Sequence, residues 1–139
     1  MIVLAKLKDM QDFLAKNPFG FLATWSEGGA RVRPFMFQFE DRGCPLFCLS
    51  NDKEVYGQLK ADPRCEVAFC TPDWSVTLRI RGKAEFFPGL EQKKRILDGN
   101  ETLREMYGTP DNPRFEVFRL VDFEAFFWDF SGRKDPVER

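Results

Sequence analysis

Residues 46–63 read LFCLSNDKEVYGQLKADP, and the two halves of this stretch follow different periods. Leu46-Phe47-Cys48-Leu49 is an apolar run of strand length that breaks at Ser50-Asn51-Asp52. Beyond the break Val55 and Leu59, with Tyr56 beside them, recur at helical spacing on one face. Ser50, Asn51 or Asp52 can each cap that helix, leaving backbone N–H groups pointing outward. A helix N-terminus reached from a strand, with Lys53 in its first turn, is suited to hold an anion such as phosphate. A cation there opposes the helix dipole, and a bound anion relieves the clash. The same residues equally describe an ordinary strand–turn–helix with a solvated lysine.

Upstream, Ala30–Glu40 reads as one strand with Arg31, Arg33, Phe35, Phe37 and Phe39 on a single face. Pro34 cannot donate a ladder hydrogen bond, which places this strand at an edge, a bulge or beside a ligand. Arg33 is therefore a candidate anion-binding residue next to an aromatic wall; an exposed arginine on an edge strand is the other reading. Asp41-Arg42-Gly43 turns the chain into the strand at Cys44–Leu49. Earlier still, Leu4, Leu7, Met10 or Gln11, and Leu14 predict a helix over residues 2–17 that stops at Asn17-Pro18. Phe19–Trp25 follows as a strand, with Ser26-Glu27-Gly28-Gly29 as its turn.

Downstream, Ala61-Asp62-Pro63 ends the central helix and Arg64–Thr71 is a strand. Trp74–Phe87 alternates strictly, Leu78 and Ile80 lying on one face and Thr77, Arg79 and Arg81 on the other. Thr77 and Arg79 face either solvent or a cleft, and Gly82 permits a bend or a close backbone approach. Leu90–Tyr107 predicts one or two short helices, broken near Gly99-Asn100. Arg114–Phe130 is a last long strand, apolar on both faces, which implies burial or a bulge partway. Residues 131–139 are charged and are expected as a flexible tail. The sum is a mainly β chain: six antiparallel strands closing into a small barrel, with a few short helices.

A chain of 139 residues is expected to form one domain, residues 1–139. The formal charge of −1 argues against nucleic acid as a partner. There is no apolar run of membrane-spanning length and no signal-peptide layout, so the expectation is a cytoplasmic protein without a membrane partner. Sixteen phenylalanines beside three tryptophans imply a very aromatic core, aromatic surface for a partner or planar ligand, or both, and some are expected in a subunit interface. The absence of histidine removes His-based triads, bases and metal ligands. Cys44/Cys48 and Cys65/Cys70 have spacings that zinc tolerates, but three of the four sit in apolar strands as small hydrophobes. Neither a metal nor a disulfide is expected.

The order strand–GG turn–RVRPF–turn–LFCLSNDK–helix–ADPR–strand–LRIRGKAEFF resembles the pyridoxamine 5′-phosphate oxidase-like proteins, the FMN-binding split β-barrels, from about residue 5 to residue 130. The resemblance implies a homodimer with two FMN molecules at the subunit interface. It makes Arg33 and Lys53 phosphate contacts and carries Pro34 and Phe35 past the isoalloxazine ring. Leu49, Ser50 and Asn51 then contact flavin from the following strand end. Thr77 falls where the oxidases place a glutamine that reaches the other subunit's flavin, and Trp128 resembles an aromatic residue near it. Arg79 would shape the cleft above the ring. Two departures stand out: Gln38 replaces the oxidases' substrate-binding lysine, and their Tyr, Arg and Ser substrate contacts have no counterpart in Leu90–Tyr107. The implied function is an FMN-dependent oxidoreductase other than a vitamin B6 oxidase, with neither substrate nor electron donor specified and no catalytic acid or base singled out. A non-catalytic flavin-binding or electron-carrier protein is the alternative, and a structural dimer with an empty cleft a third.

Overall fold

Strand-forming runs punctuated by turn residues fill much of the chain, and a computed structural model describing residues 5–132 and 134–138 shows how they are joined. The chain begins with a short strand β1 (Ala5–Lys6) and helix α1 (Leu7–Lys16), which buries Met10 and Leu14; Leu4 lies outside the described residues. Strands β2 (Phe19–Ser26), β3 (Gly29–Met36), β4 (Phe39–Asp41) and β5 (Cys44–Ser50) follow, then helix α2 (Glu54–Ala61). Next come β6 (Arg64–Cys70) and β7 (Val76–Phe87), then helices α3 (Leu90–Gly99) and α4 (Glu101–Tyr107). The described chain ends with β8 (Phe115–Asp129) and β9 (Lys134–Glu138).

The sheet runs β1-β9-β8-β7-β6-β2-β3, with β5 pairing β8 and β4 pairing β5. It does not close, and the architecture is a split barrel. All pairings are antiparallel except β1 with β9. β3 has β2 as its only strand partner among the described residues, which is the edge position that Pro34 requires.

Four expectations need correction. The helix expected over residues 2–17 begins at Leu7, because Ala5–Lys6 pairs with Val137 and Glu138 as β1. Ala30–Glu40 is not one strand: Phe37 N donates to Pro18 O (2.8 Å) and Gln38 N to Leu46 O (3.0 Å), so the chain leaves β2 and changes partner to β5. The tail expected at 131–139 instead carries β9. The stretch of β8 beyond its pairing with β5 has a vacant edge, and β9 takes it, Phe126 opposite Pro136 and Trp128 opposite Lys134. Lys134 Nζ lies 3.9 Å from the Phe126 ring centroid. The strand expected from Trp74 begins at Val76, because Trp74 sits in the preceding turn at φ +63°.

Both halves of the barrel share a core in which Phe47 touches Phe118 (centroids 5.4 Å) and Phe69 (6.4 Å), with Leu22, Val67, Leu78, Ile80 and Leu120 buried around them. Helices α3 and α4 cover the other face of β5 and β8, where Tyr107 stacks on Phe115 at 4.2 Å above Leu46 and Val117. The bulge expected in the last strand is present. Arg81 pairs Glu124 while Lys83 pairs Val121, so Asp122 and Phe123 together oppose Gly82. A Cβ on Gly82 would stand 2.7 Å from Val121 O, the close approach that glycine allows here.

Candidate functional site

Strand β3, the end of β5, the start of α2 and the α4 wall enclose a cleft of about 610 Å³. Six of the ten residues singled out in the sequence line it: Arg33, Pro34, Phe35, Leu49, Ser50 and Lys53. Strand alternation turns Arg33 and Phe35 to the same side of β3. The break at residues 50–52 brings Lys53 round beside them.

The local chemistry at α2 differs from the expected cap. Lys53 is the N-cap residue in extended conformation, and no side chain caps the helix. Ser50 Oγ donates instead to Asp52 Oδ1 (2.6 Å), and this bond holds the Asp52 carboxyl below its usual value. Asn51 turns away from the cleft, its Nδ2 donating to Pro113 O (2.8 Å) and Glu116 Oε1 (3.2 Å). Asn51 thus pins the turn to the start of β8. Lys53 remains exposed at the cleft mouth.

Arg33 is half-buried and held. Its Nη1 donates to Thr24 Oγ1 (2.8 Å) and more weakly to Leu22 O (3.4 Å), and its Nη2 donates to Gln58 Oε1 (2.5 Å). Burial lowers its pKa, and the Glu54 carboxylate works in the opposite direction. The group stays a cation at neutral pH. Sequence reading missed Thr24 and Gln58. Thr24 carried a signal: it continues the inward-facing series of Leu22, and a polar residue at such a position needs a buried partner. Gln58 carried none.

The remaining wall is largely neutral. Gln38 Nε2 finds only Met36 O, at 3.4 Å, among the described residues. Burial pushes the Cys48 thiol up to about 12, so it is protonated. Leu103, Met106 and Tyr107 of α4 close the outer side, and burial likewise raises the Tyr107 phenol. The cleft therefore joins a cationic end to an apolar floor of Phe35, Leu49 and Val55. That combination suits a flat ring with an anionic tail, and Arg33 and Lys53 are the right donors for a phosphate.

Thr77, Arg79 and Trp128 are elsewhere, on the outer face of β7 and β8. Thr77 and Trp128 are cross-strand partners. Arg79 is taken up by Glu66 (2.6 and 2.9 Å) and lies 5.3 Å from the Phe126 ring centroid. Within one chain none of the three reaches the cleft. Trp128 Nε1 is buried and has no hydrogen-bond partner among the described residues. The same face exposes Phe19, Phe21, Trp25 and Val32. A second cleft, of about 790 Å³, lies beside the Gly82 bulge, where Arg81 pairs with both Glu66 and Glu124.

A family model described as pyridoxamine 5′-phosphate oxidase matches residues 7–129. No curated protein matches the chain by sequence. Among solved structures, a NimC/NimA family protein from Clostridium acetobutylicum is 25% identical with a TM-score of 0.82, the match covering 94% of this chain and 90% of that one. A heme binding protein from Mycobacterium smegmatis is 24% identical with a TM-score of 0.74, over 94% of this chain and 56% of that one. PhzG from Burkholderia lata 383, solved with tetrahydrophenazine-1-carboxylic acid, is 19% identical with a TM-score of 0.65, over 88% of this chain and 75% of that one. The last two likenesses are of fold.

Proposed function

Because the chain belongs to the pyridoxamine 5′-phosphate oxidase family, we propose that it binds FMN in the cleft between β3, β5 and α2 and serves as an FMN-dependent oxidoreductase. One observation carries this reading: Arg33, fixed by Thr24 and Gln58, faces the same cleft as Lys53 at an uncapped helix start, above an apolar floor. Bound FMN would supply the hydride or electron chemistry. Arg33 and Lys53 hold its phosphate, Pro34, Phe35 and Leu49 bound its ring, and the α4 wall excludes water. The chain has no histidine to ligate a haem iron, which favours flavin over haem.

The functional unit in this reading is a homodimer. Phe19, Phe21 and Val32 are exposed on the outer face, and a second copy seated there would bury them. The same seating would bring Thr77, Arg79 and Trp128 to the partner's cleft. No helix among the described residues is long and apolar enough to cross a membrane, and a cytoplasmic flavoprotein is the setting we propose. Among the described residues Glu54 is the only carboxylate lining the cleft, and Cys48 is a neutral thiol. That poverty of acids and bases favours, as a second reading, a flavin-binding or electron-carrier protein without a dedicated substrate site.

Titration of FMN and riboflavin into wild type, Lys53→Ala and Arg33→Ala, followed by flavin fluorescence, tests the phosphate site. A hydrogen bond to a charged group contributes about 1.5–3 kcal/mol, so each change should weaken FMN about 10- to 150-fold and leave riboflavin nearly unchanged. Equal losses for both flavins would refute it. Reduction of the bound flavin by NADH or NADPH separates the oxidoreductase from the carrier. Sedimentation equilibrium giving a monomer mass with FMN bound would refute the dimer.

A further inference from the structure

Gln58 and Thr24 lie behind Arg33, not in the cleft. Neither lines the space where FMN is proposed to sit, yet the two side chains and the guanidinium form a closed ring of hydrogen bonds. Thr24 Oγ1 donates to Gln58 Oε1 (2.6 Å), Arg33 Nη2 donates to that same oxygen (2.5 Å), and Arg33 Nη1 donates to Thr24 Oγ1 (2.8 Å). The orientation of the Gln58 amide is fixed chemically: Arg33 can only donate, so the carbonyl oxygen must face it. Thr24 is 3% exposed and belongs to the packed β2 strand, so the ring is anchored to the barrel.

A guanidinium presents five N–H donors in a rigid plane. The two acceptor oxygens stand 2.6 Å apart and are straddled by Nη1 and Nη2, the end-on fork. Leu22 O takes a further donor from Nη1. What remains without a partner among the described residues is Nε–H with the second Nη2 hydrogen, the side-on fork, which is a bidentate match for a carboxylate or phosphate. We infer that Gln58 and Thr24 are positioning residues that lock the end-on fork of Arg33 so that its side-on fork is presented to the FMN phosphate, and that they thereby set the preference for FMN over riboflavin. This rests on the FMN reading above. It also assigns a reason for a neutral residue at position 58: a carboxylate there would hold Arg33 equally well but would compete with phosphate for its charge.

The test uses the full chain, with FMN and riboflavin as probes and thermal unfolding as the control for folding. Gln58→Leu should weaken FMN about 2- to 10-fold, the scale of one neutral hydrogen bond, and leave riboflavin unmoved. Gln58→Glu should weaken FMN more than Gln58→Leu does, although its unfolding temperature stays at or above that of wild type. In an Arg33→Ala background Gln58→Leu should have no further effect, because the group it positions is gone. Thr24→Val, close in shape and lacking the hydroxyl, repeats the measurement should Gln58→Leu fail to fold. Unchanged FMN affinity in Gln58→Leu and Thr24→Val, equal losses for riboflavin, or the same loss in the Arg33→Ala background would each overturn the inference. An Arg33→Ala variant that loses no FMN affinity would overturn the phosphate site and this inference together. A large loss in Arg33→Ala beside neutral Gln58 variants would overturn the positioning role alone.

Discussion

Replacing Arg119 by methionine probes how the α3–α4 wall of the cleft is tied to the barrel. Arg119 of β8 donates from Nε to Asp41 Oδ2 at 2.7 Å, and the two side chains are 11% and 17% exposed. Its guanidinium also lies 3.7 Å from the Phe87 ring centroid, and Gln92 of α3 reaches the same carboxylate at 3.4 Å. Burial works to raise the Asp41 pKa, but the hydrogen bonds from Arg119 and Gln92 outweigh it and hold the carboxyl below its usual value. Methionine keeps much of the apolar contact with Phe87 and strands the carboxylate. Breaking a fully buried pair costs about 3–5 kcal/mol; this one sits near the surface, so about 2–3 kcal/mol is expected. For a chain of this length that is a fall of about 6–15 °C in Tm, measured by circular dichroism at fixed protein concentration. The pH dependence gives a second check. In wild type the folded pKa of Asp41 is depressed, so its contribution is present above the unfolded value of about 3.9 and is lost as pH falls through the folded value. In Arg119→Met the desolvated carboxylate has a raised folded pKa, and protonation relieves the penalty as pH falls from neutrality. The gap between the two proteins must therefore narrow toward acid. A loss below about 0.5 kcal/mol, the scale of an ordinary surface change, or a gap that widens toward acid, would refute the reasoning.

Four further outcomes are expected. Glu66 accepts from both Arg79 and Arg81, and those bonds outweigh its burial and depress its pKa; its contribution is present above the unfolded value of about 4.3 and is lost as pH falls through the folded one. Glu66→Gln should accordingly flatten the acid limb of a urea-midpoint profile, and an unchanged limb would refute the pairing. Gly82→Ala should cost about 1–3 kcal/mol, since the clash is with the Val121 carbonyl, whereas Gly57→Ala in α2 meets open space and should gain about 0.5–1 kcal/mol; chemical denaturation reads both. Pyridoxamine and pyridoxine 5′-phosphates should be poor substrates, because neutral Gln38 gives their phosphate no ionic contact. Turnover at about one per second or faster with FMN and oxygen would show that this argument fails.

The elements that rest on local pattern were legible without coordinates. Alternation specified β7, apolar runs bounded by turn residues specified β2, β5, β6 and β8, and the helical spacing of Val55 and Leu59 specified α2, where both are buried. Asn100 marked the break between α3 and α4, and its Oδ1 accepts from Leu103 N at 3.0 Å as the cap of α4. Pro34 narrowed its strand to an edge, a bulge or a ligand-side position, and the sheet order decides for the edge. Arg33 and Lys53 were legible as candidates for the same reason: a charged residue in line with aromatic rings, or at a helix start, stands out in one dimension. Periodicity reports which residues of one element share a face. It is silent on which elements meet. That second question decided the split of Ala30–Glu40, whose backbone donors leave Pro18 for Leu46, and the recruitment of residues 134–138 to the vacant edge of β8. It also turned Asn51 toward Pro113, separated Thr77, Arg79 and Trp128 from the cleft, and placed Gln58 and Thr24 behind Arg33. The sequence by itself determined the long central strands, the positions of the helices and the two cations, because these follow from side-chain spacing along a single element. Only the tertiary structure decided which polar groups converge, because a buried donor takes whichever acceptor long-range packing sets within hydrogen-bond distance.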